Sequence, residues 1–434
     1  MKVGLIGTFD VENFGDCMFP ELYTALLRQR FKDLEIALYS PIAKAADILS
    51  FDQVHALPTQ NTKASLATLD ADALILIGGE TIGHGHSPGT FNFPRATMSA
   101  YLRLWLAPIL AARHPDLRPT FFAAQSVGAI KMPAAINRAV AMAMAAADRV
   151  RFRDVFSADW IRTDEVTFKV DIDPMFLIDQ VCTPEDWTAR TRAHLPDDIA
   201  PEGYLAAQVS LGYGGNDLNA WVQAVTRIAQ TRDLPVVLVP ICHFMQDERL
   251  LAHLEGMLKA AGVRVHLVAG LLNVKDTAAL VGMSGGYIGS SLHGAVSAVA
   301  FGRPLAVLGH SPDGKHAGTL RAVGITGVVA TKSDDLPACF DASTAQDQAA
   351  ARSEAQTLAR ASIDSLTDAI ANAASEARSE DLASAADQLI TQERNTSAKF
   401  EAKRLVLRTI RRTPGLAGLY RKWGLQKVFK KALG

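Results

Sequence analysis

Cysteine is scarce in this chain of 434 residues: there are four, at positions 17, 182, 242 and 339, and no Cys-x-x-Cys pair. That excludes a disulfide framework and a thiolate zinc site, and it suits a reducing compartment. Aromatic residues make up only 7% of a chain that is 49% apolar. Long apolar runs are missing too, and none approaches the roughly 18 residues a spanning helix needs. Met1-Lys2-Val3-Gly4-Leu5-Ile6-Gly7 turns polar too soon for a secretory signal. The expectation is a cytoplasmic protein, soluble or at most peripheral at the inner face of the membrane. Net charge is also nearly absent, −1 overall, but it is unevenly placed. Residues 397–434 hold 11 Lys/Arg and one acid, Glu401, which leaves 33 basic and 44 acidic residues in 1–396. The chain is an acidic globule with a basic tail.

What is present is a repeated order of short Val/Ile/Leu runs, Gly/Ser loops and helical patterns. Strands are expected at Lys2–Ile6, Glu35–Tyr39, Ala73–Ile77, Thr120–Ala124 and Arg149–Arg153, with helices between them. Prolines 174, 184, 196 and 201 then break the rhythm, which resumes with strands at Tyr204–Ser210, Pro235–Val239, Arg264–Leu267, Gly286–Ile288 and Leu305–Leu308. The reading is α/β: two Rossmann-like domains facing a cleft, at 1–175 and 200–340, with C-terminal helices over 341–395 and a basic amphipathic tail over 396–434.

Five loops fall at strand ends where a shared cleft would lie. They are Asn13-Phe14-Gly15-Asp16, Gly78-Gly79-Glu80, Gln125-Ser126-Val127-Gly128, Arg153-Asp154-Val155-Phe156-Ser157 and Ser290-Ser291-Leu292-His293-Gly294. The last places one histidine between small residues at a helix start, where free N–H groups suit an anion.

The order and spacing of Asn13-Phe14-Gly15-Asp16, Gly78-Gly79, Arg153-Asp154 with Ser157, Asp173-Pro174 with Phe176, His293-Gly294, Gly302-x-Pro304 and Lys315 resemble the polysaccharide pyruvyl transferase family over residues 3–330. The resemblance implies a GT-B-like fold and transfer of a ketal-linked pyruvate from phosphoenolpyruvate, a co-substrate, to a sugar of a surface polysaccharide or exopolysaccharide, or to its lipid-linked precursor. Two positions depart from it. Many members carry Arg before the Leu-His pair, where this chain has Ser291, and a third glycine often follows Gly78-Gly79, where this chain has Glu80.

Phosphoenolpyruvate carries a carboxylate and a phosphate, so cations and N–H groups must hold it in two places. Arg153, Lys315 and Arg303 are the candidate cations, with Ser290, Ser291 and the helix start through Gly294 as further donors. Protonating the methylene carbon calls for a general acid, which points to His293. Asp16 is the candidate to take the acceptor's proton, and Asn13, Glu80 and Gln125 are candidates to orient its hydroxyls. The scheme requires no metal and no cofactor. Two other readings of the same architecture stay open, a GT-B glycosyltransferase with a nucleotide-sugar donor and a non-catalytic saccharide-binding homologue. His84-Gly85-His86 invites a metal but lacks a third ligand of obvious spacing. His243 ends a strand of the second half, and Gly212-Tyr213-Gly214-Gly215 lacks the acidic partner of a dinucleotide site. In the tail, Leu405, Ile410, Tyr420, Trp423 and Phe429 interleave with Lys and Arg, which reads as an anchor for an anionic membrane surface rather than a nucleic-acid arm.

Overall fold

The structure, a computed structural model, describes residues 1–83, 100–129, 131–132, 134–164, 166–210 and 217–373. Two sheets form. The first runs β3 (His55–Ala56), β2 (Glu35–Ser40), β1 (Lys2–Ile6), β4 (Ala73–Ile77), β6 (Phe121–Ala129), β7 (Arg149–Phe152), β8 (Lys169–Val170), with β5 (Glu80–Ile82) paired to β6. The second runs β11 (Val265–Leu267), β10 (Val236–Leu238), β9 (Leu205–Ala207), β12 (Gly286–Gly289), β13 (Leu305–Leu308), β14 (Val329–Ala330). Every pairing in both is parallel. Helices cover both faces, so the central strands are apolar at successive positions; Ala73 through Ile77 are all buried.

Strand order reverses between β1 and β4 in the first sheet and between β9 and β12 in the second. Each reversal opens a crevice at the carboxyl ends of the strands. The Asn13 turn and the Gly78-Gly79 turn leave the first crevice, and the Ser290 turn leaves the second. The two halves clasp there. Phe14 N–H donates to the Ile241 carbonyl at 3.0 Å, Asn13 and Cys242 form an antiparallel bridge, and Lys275 Nζ meets Glu21 Oε2 at 2.8 Å.

One expectation is corrected. Gln125-Ser126-Val127-Gly128 is not a loop; β6 continues through it to Ala129. The run-on is possible because Gly128 lets two backbones meet: its N–H donates to the Gly79 carbonyl at 2.7 Å, and a Cβ there would lie 3.0 Å from that same oxygen. The stretch 171–203, where the prolines break the rhythm, carries the 3-10 helix Pro174–Gln180 and the helix Pro184–Arg192. The helix Gln348–Ala371 lies against both halves, with Arg352 Nη2 2.6 Å from Asp179 Oδ2 and Gln356 Nε2 3.5 Å from the Ala300 carbonyl. Its Ile363, Leu366 and Ile370 are buried, whereas Leu358 is exposed. The tail over 396–434, the rest of the extension from 374, His84, His86 and the Gly212–Gly215 loop lie outside the described residues.

Candidate functional site

Four turns of the first half and two of the second converge. Asn13 caps the helix Phe14–Arg30, its Oδ1 accepting from Gly15 N–H at 3.2 Å, while its Nδ2 donates to Asp16 Oδ2 at 3.1 Å. Gly15 has to be glycine because the imidazole of His293 rests on its backbone; a Cβ would collide with His293 Nδ1. Gly79 brings a second turn against Asp16, where a Cβ would come within 2.9 Å of Oδ1.

His293 sits in the first turn of the helix Leu292–Ala300. Its ring meets Phe19 edge-on at 5.3 Å between centroids, and Nε2 stands 3.6 Å from Asp173 Oδ2. Asp173 is fully buried. Its Oδ1 caps the 3-10 helix by accepting from Met175 N–H at 3.0 Å, leaving Oδ2 without a hydrogen-bond partner and facing the histidine. Burial alone would raise the Asp173 carboxyl. The His293 ring beside it, then Arg153, outweigh burial and hold the pKa below the ordinary value. For Asp16 burial wins: its carboxyl is raised although His293 and Arg153 pull it down.

Arg153 follows β7 and is 5% exposed. Nη2 lies 3.9 Å from Glu80 Oε1 and Nε 3.6 Å from Asp154 Oδ2, but neither Nε nor Nη1 has a hydrogen-bond partner. Asp154 is committed elsewhere, capping the helix Val155–Ile161 and accepting from Ser157 Oγ at 2.9 Å. A buried guanidinium with spare N–H groups is a waiting anion site. Lys315, at the start of the helix Lys315–Arg321, reaches across from the second half to Glu80 Oε1 at 2.9 Å. Glu80 therefore stands between the two cations; burial would raise its carboxyl, but Lys315 and then Arg153 lower it.

The structure thus brings together Asn13, Asp16, Glu80, Arg153, His293 and Lys315. It places five other candidates differently. Gln125 is fully buried, with its Nε2 donating to Ser362 Oγ at 2.7 Å and its Oε1 accepting from Arg149 Nε at 2.8 Å. It fastens the long C-terminal helix to β6 and has no free group for a sugar. Arg303 precedes β13 at the opposite, amino edge of the second sheet, where it donates to the Gly282 carbonyl at 2.8 Å and pairs with Glu202 at 2.7 Å. Ser291 spends its hydroxyl capping, accepting from Gly294 N–H at 3.2 Å. Ser290 Oγ accepts from Ser210 N–H at 3.0 Å. Gly294 is where the Tyr287 hydroxyl takes the space of a Cβ.

Sequence reasoning gave three residues no role. Asp173 stood in the Asp173-Pro174 pair of the family pattern but was given no chemical role. Phe19 reads as one more apolar helix position. His316 is buried, with Nε2 3.1 Å from the Ser290 carbonyl. Burial, with Lys315 adding to it, pushes the pKa of His316 down to about 3, so the ring is neutral and Nε2 carries the donated proton. His243, the strand-end histidine, pairs through Nδ1 with Glu248. Among the described residues no group of three or more His, Cys, Asp or Glu is placed to hold a metal ion.

Two tests follow from these positions. Gly15→Ala should displace the imidazole, cost about 1–3 kcal/mol of stability as overpacking does, and remove turnover, read by thermal unfolding and by product formation. Arg303→Ala should leave the KM of every substrate unchanged, since its contacts are at the far edge of the sheet.

Several solved structures share this architecture. They include Methanocaldococcus jannaschii UDP-GlcNAc 2-epimerase in complex with UDP-GlcNAc and UDP (TM-score 0.50, 11% identity, 80% of this chain and 94% of that one covered). Another is S. aureus MnaA with UDP (TM-score 0.52, 12% identity, 86% and 98% covered). A third is a glycosyltransferase from Rickettsia africae (TM-score 0.50, 12% identity, 86% and 98% covered). At such identities the likeness shows the fold alone, a GT-B-type pair of parallel sheets. No curated protein matches the chain. A family model described as polysaccharide pyruvyl transferase matches residues 13–312.

Proposed function

This chain belongs to the polysaccharide pyruvyl transferase family, and on that premise we propose that it moves a pyruvyl group from phosphoenolpyruvate onto two hydroxyls of one sugar. The observation that carries the reading is Arg153, buried beside the His293–Asp173 pair with Nε and Nη1 unpartnered. One anionic group of the donor would take those N–H groups, and the other would meet Lys315. His293, oriented by Asp173, protonates the methylene carbon. A sugar hydroxyl then bonds to the neighbouring carbon as its proton passes to Asp16, whose raised carboxyl suits a proton acceptor. A second hydroxyl displaces phosphate from the same carbon, its proton leaving on the phosphate, and the proton held by Asp16 restores the charge that His293 gave up. The products are the cyclic ketal and inorganic phosphate, and the scheme draws on no cofactor.

Glu80 already holds Lys315, so the donor must displace a carboxylate. Exposed ion pairs hold about 1 kcal/mol at most, so Glu80→Gln should lower the KM for phosphoenolpyruvate by up to ~5-fold, measured by phosphate release.

The acceptor is a surface-polysaccharide sugar, in this reading carried on a lipid. Among the described residues no helix is long and apolar enough to cross a membrane. The basic tail would hold the enzyme at the cytoplasmic face, because about 1 kcal/mol per basic residue near an anionic leaflet suffices for reversible attachment. Liposome co-sedimentation of the full chain against one ending at Asn395 tests the anchor, and equal pelleting refutes it. For the donor, thermal-shift profiles against phosphoenolpyruvate, UDP-sugars and GDP-sugars decide: stabilisation by nucleotide sugars alone would overturn the pyruvyl reading.

A further inference from the structure

Three segments of the site converge on one buried carboxylate that touches none of the reacting groups. Asp247 opens the helix Asp247–Ala260 and is 1% exposed. Its Oδ2 accepts from Gln208 Nε2 at 2.9 Å, from Cys242 N–H at 2.9 Å and from Ile241 N–H at 3.2 Å. The Gln208 bond and the pair from the 241–242 turn lead to opposite walls of the cleft. Gln208 Oε1 in turn accepts from Ser290 N–H at 3.3 Å and Ser290 Oγ at 3.4 Å, which fixes the turn that carries His293. The Ser290 carbonyl meets His316 at 3.1 Å, next to Lys315. The 241–242 turn receives Phe14 N–H on the Ile241 carbonyl and bridges Asn13 through Cys242, which fixes the turn that carries Asp16 in the other half.

We propose that Asp247 is a positioning residue for pyruvyl transfer, setting His293 and Asp16 against each other across the cleft. The assignment rests on the function proposed above. The geometry leaves Arg153, the main donor grip, off this network: it hangs from β7 in the first half. Asp247 therefore governs how well acid and base are aimed, not how tightly the donor is held. A misplacement of about 1 Å at a reacting centre costs roughly 10²-fold in rate.

The test uses full-length Asp247→Asn and Gln208→Ala, below their unfolding temperatures. Asn removes the charge and one acceptor oxygen, so the three N–H groups lose the ionised acceptor they share. We expect kcat to fall ~10- to 100-fold in both variants with the KM for phosphoenolpyruvate unchanged. A merely structural role would lower the folded fraction and leave kcat per folded molecule as in the parent. Amide hydrogen exchange supplies a readout free of activity. Asp247→Asn should speed exchange in peptides 10–18 and 286–296, whereas Gln208→Ala, which cuts only one branch, should speed 286–296 alone. Should Asp247→Asn fail to fold, Gln208→Ala decides by its kcat and its exchange pattern. Parent-like kcat together with parent-like exchange in 286–296 would overturn the proposal. A parent protein that transfers no pyruvate would sink the functional reading instead, and the exchange data would still report on the network.

Discussion

Replacing His293 by alanine should lower pyruvyl transfer about 10²- to 10⁴-fold, the range a positioned proton donor supplies, with the fold intact. The side chain is mostly enclosed by residues that do not need it for packing: Phe19 at its edge, Gly15 beneath it and Asp173 beyond Nε2. Circular dichroism and the thermal midpoint would report the fold, and release of phosphate the rate. Retained turnover would remove the assigned role. The companion change Asp173→Asn carries a pH signature. The Asp173 pKa is held below its ordinary value in the folded chain. Its stabilising contribution is therefore complete above the unfolded value, about 4, and is lost as pH falls through the lowered folded value. Thermal midpoints of the parent should drop more steeply on the acid side of that value than those of Asp173→Asn. Parallel curves would show that the pair contributes nothing to stability.

Arg153→Ala should raise the KM for phosphoenolpyruvate at least ~30-fold, since truncating one partner of a desolvated charge pair costs about 2 kcal/mol or more. Lysine should not restore it. A guanidinium offers two parallel N–H bonds to a carboxylate or phosphate edge, whereas an ammonium offers a point charge on a flexible stem. Isothermal titration with phosphoenolpyruvate measures the loss without relying on turnover, and unchanged affinity in Arg153→Ala would move the donor elsewhere. The expectation is firmest for this residue because its Nε and Nη1 are buried without a partner. Lys315, half-open to solvent and already paired with Glu80, should matter less.

Much of this architecture is written in the residues. Parallel strands buried on both faces have to be unbroken apolar runs, so Lys2–Ile6, Ala73–Ile77 and Leu305–Leu308 begin and end where their hydrophobicity does. Short, isolated pairings such as β3, β8 and β14 carry no such run and were invisible. The Gly/Ser turns were legible as strand ends, but whether a turn truly ends a strand was not. Gln125 through Gly128 look like a loop by composition and are strand, because Gly79 and Arg153 come up against them from elsewhere in the chain.

The candidate site divides along the same line. Side-chain chemistry is local, so the sequence alone could nominate a histidine at a small-residue helix start, an arginine after a strand and an Asn-Phe-Gly-Asp turn. It determined the parallel α/β class and the family, and it nominated most of the groups that prove to meet. Which groups meet is a matter of distances between segments far apart in the chain, and only the tertiary structure decided that. It moved Arg303 to the far edge of its sheet and tied Gln125 to the C-terminal helix. It also brought Asp173, given no role from sequence, to within 3.6 Å of His293. Burial decided the rest, since the same carboxylate chemistry is raised at Asp16 and lowered at Asp173 by what surrounds each.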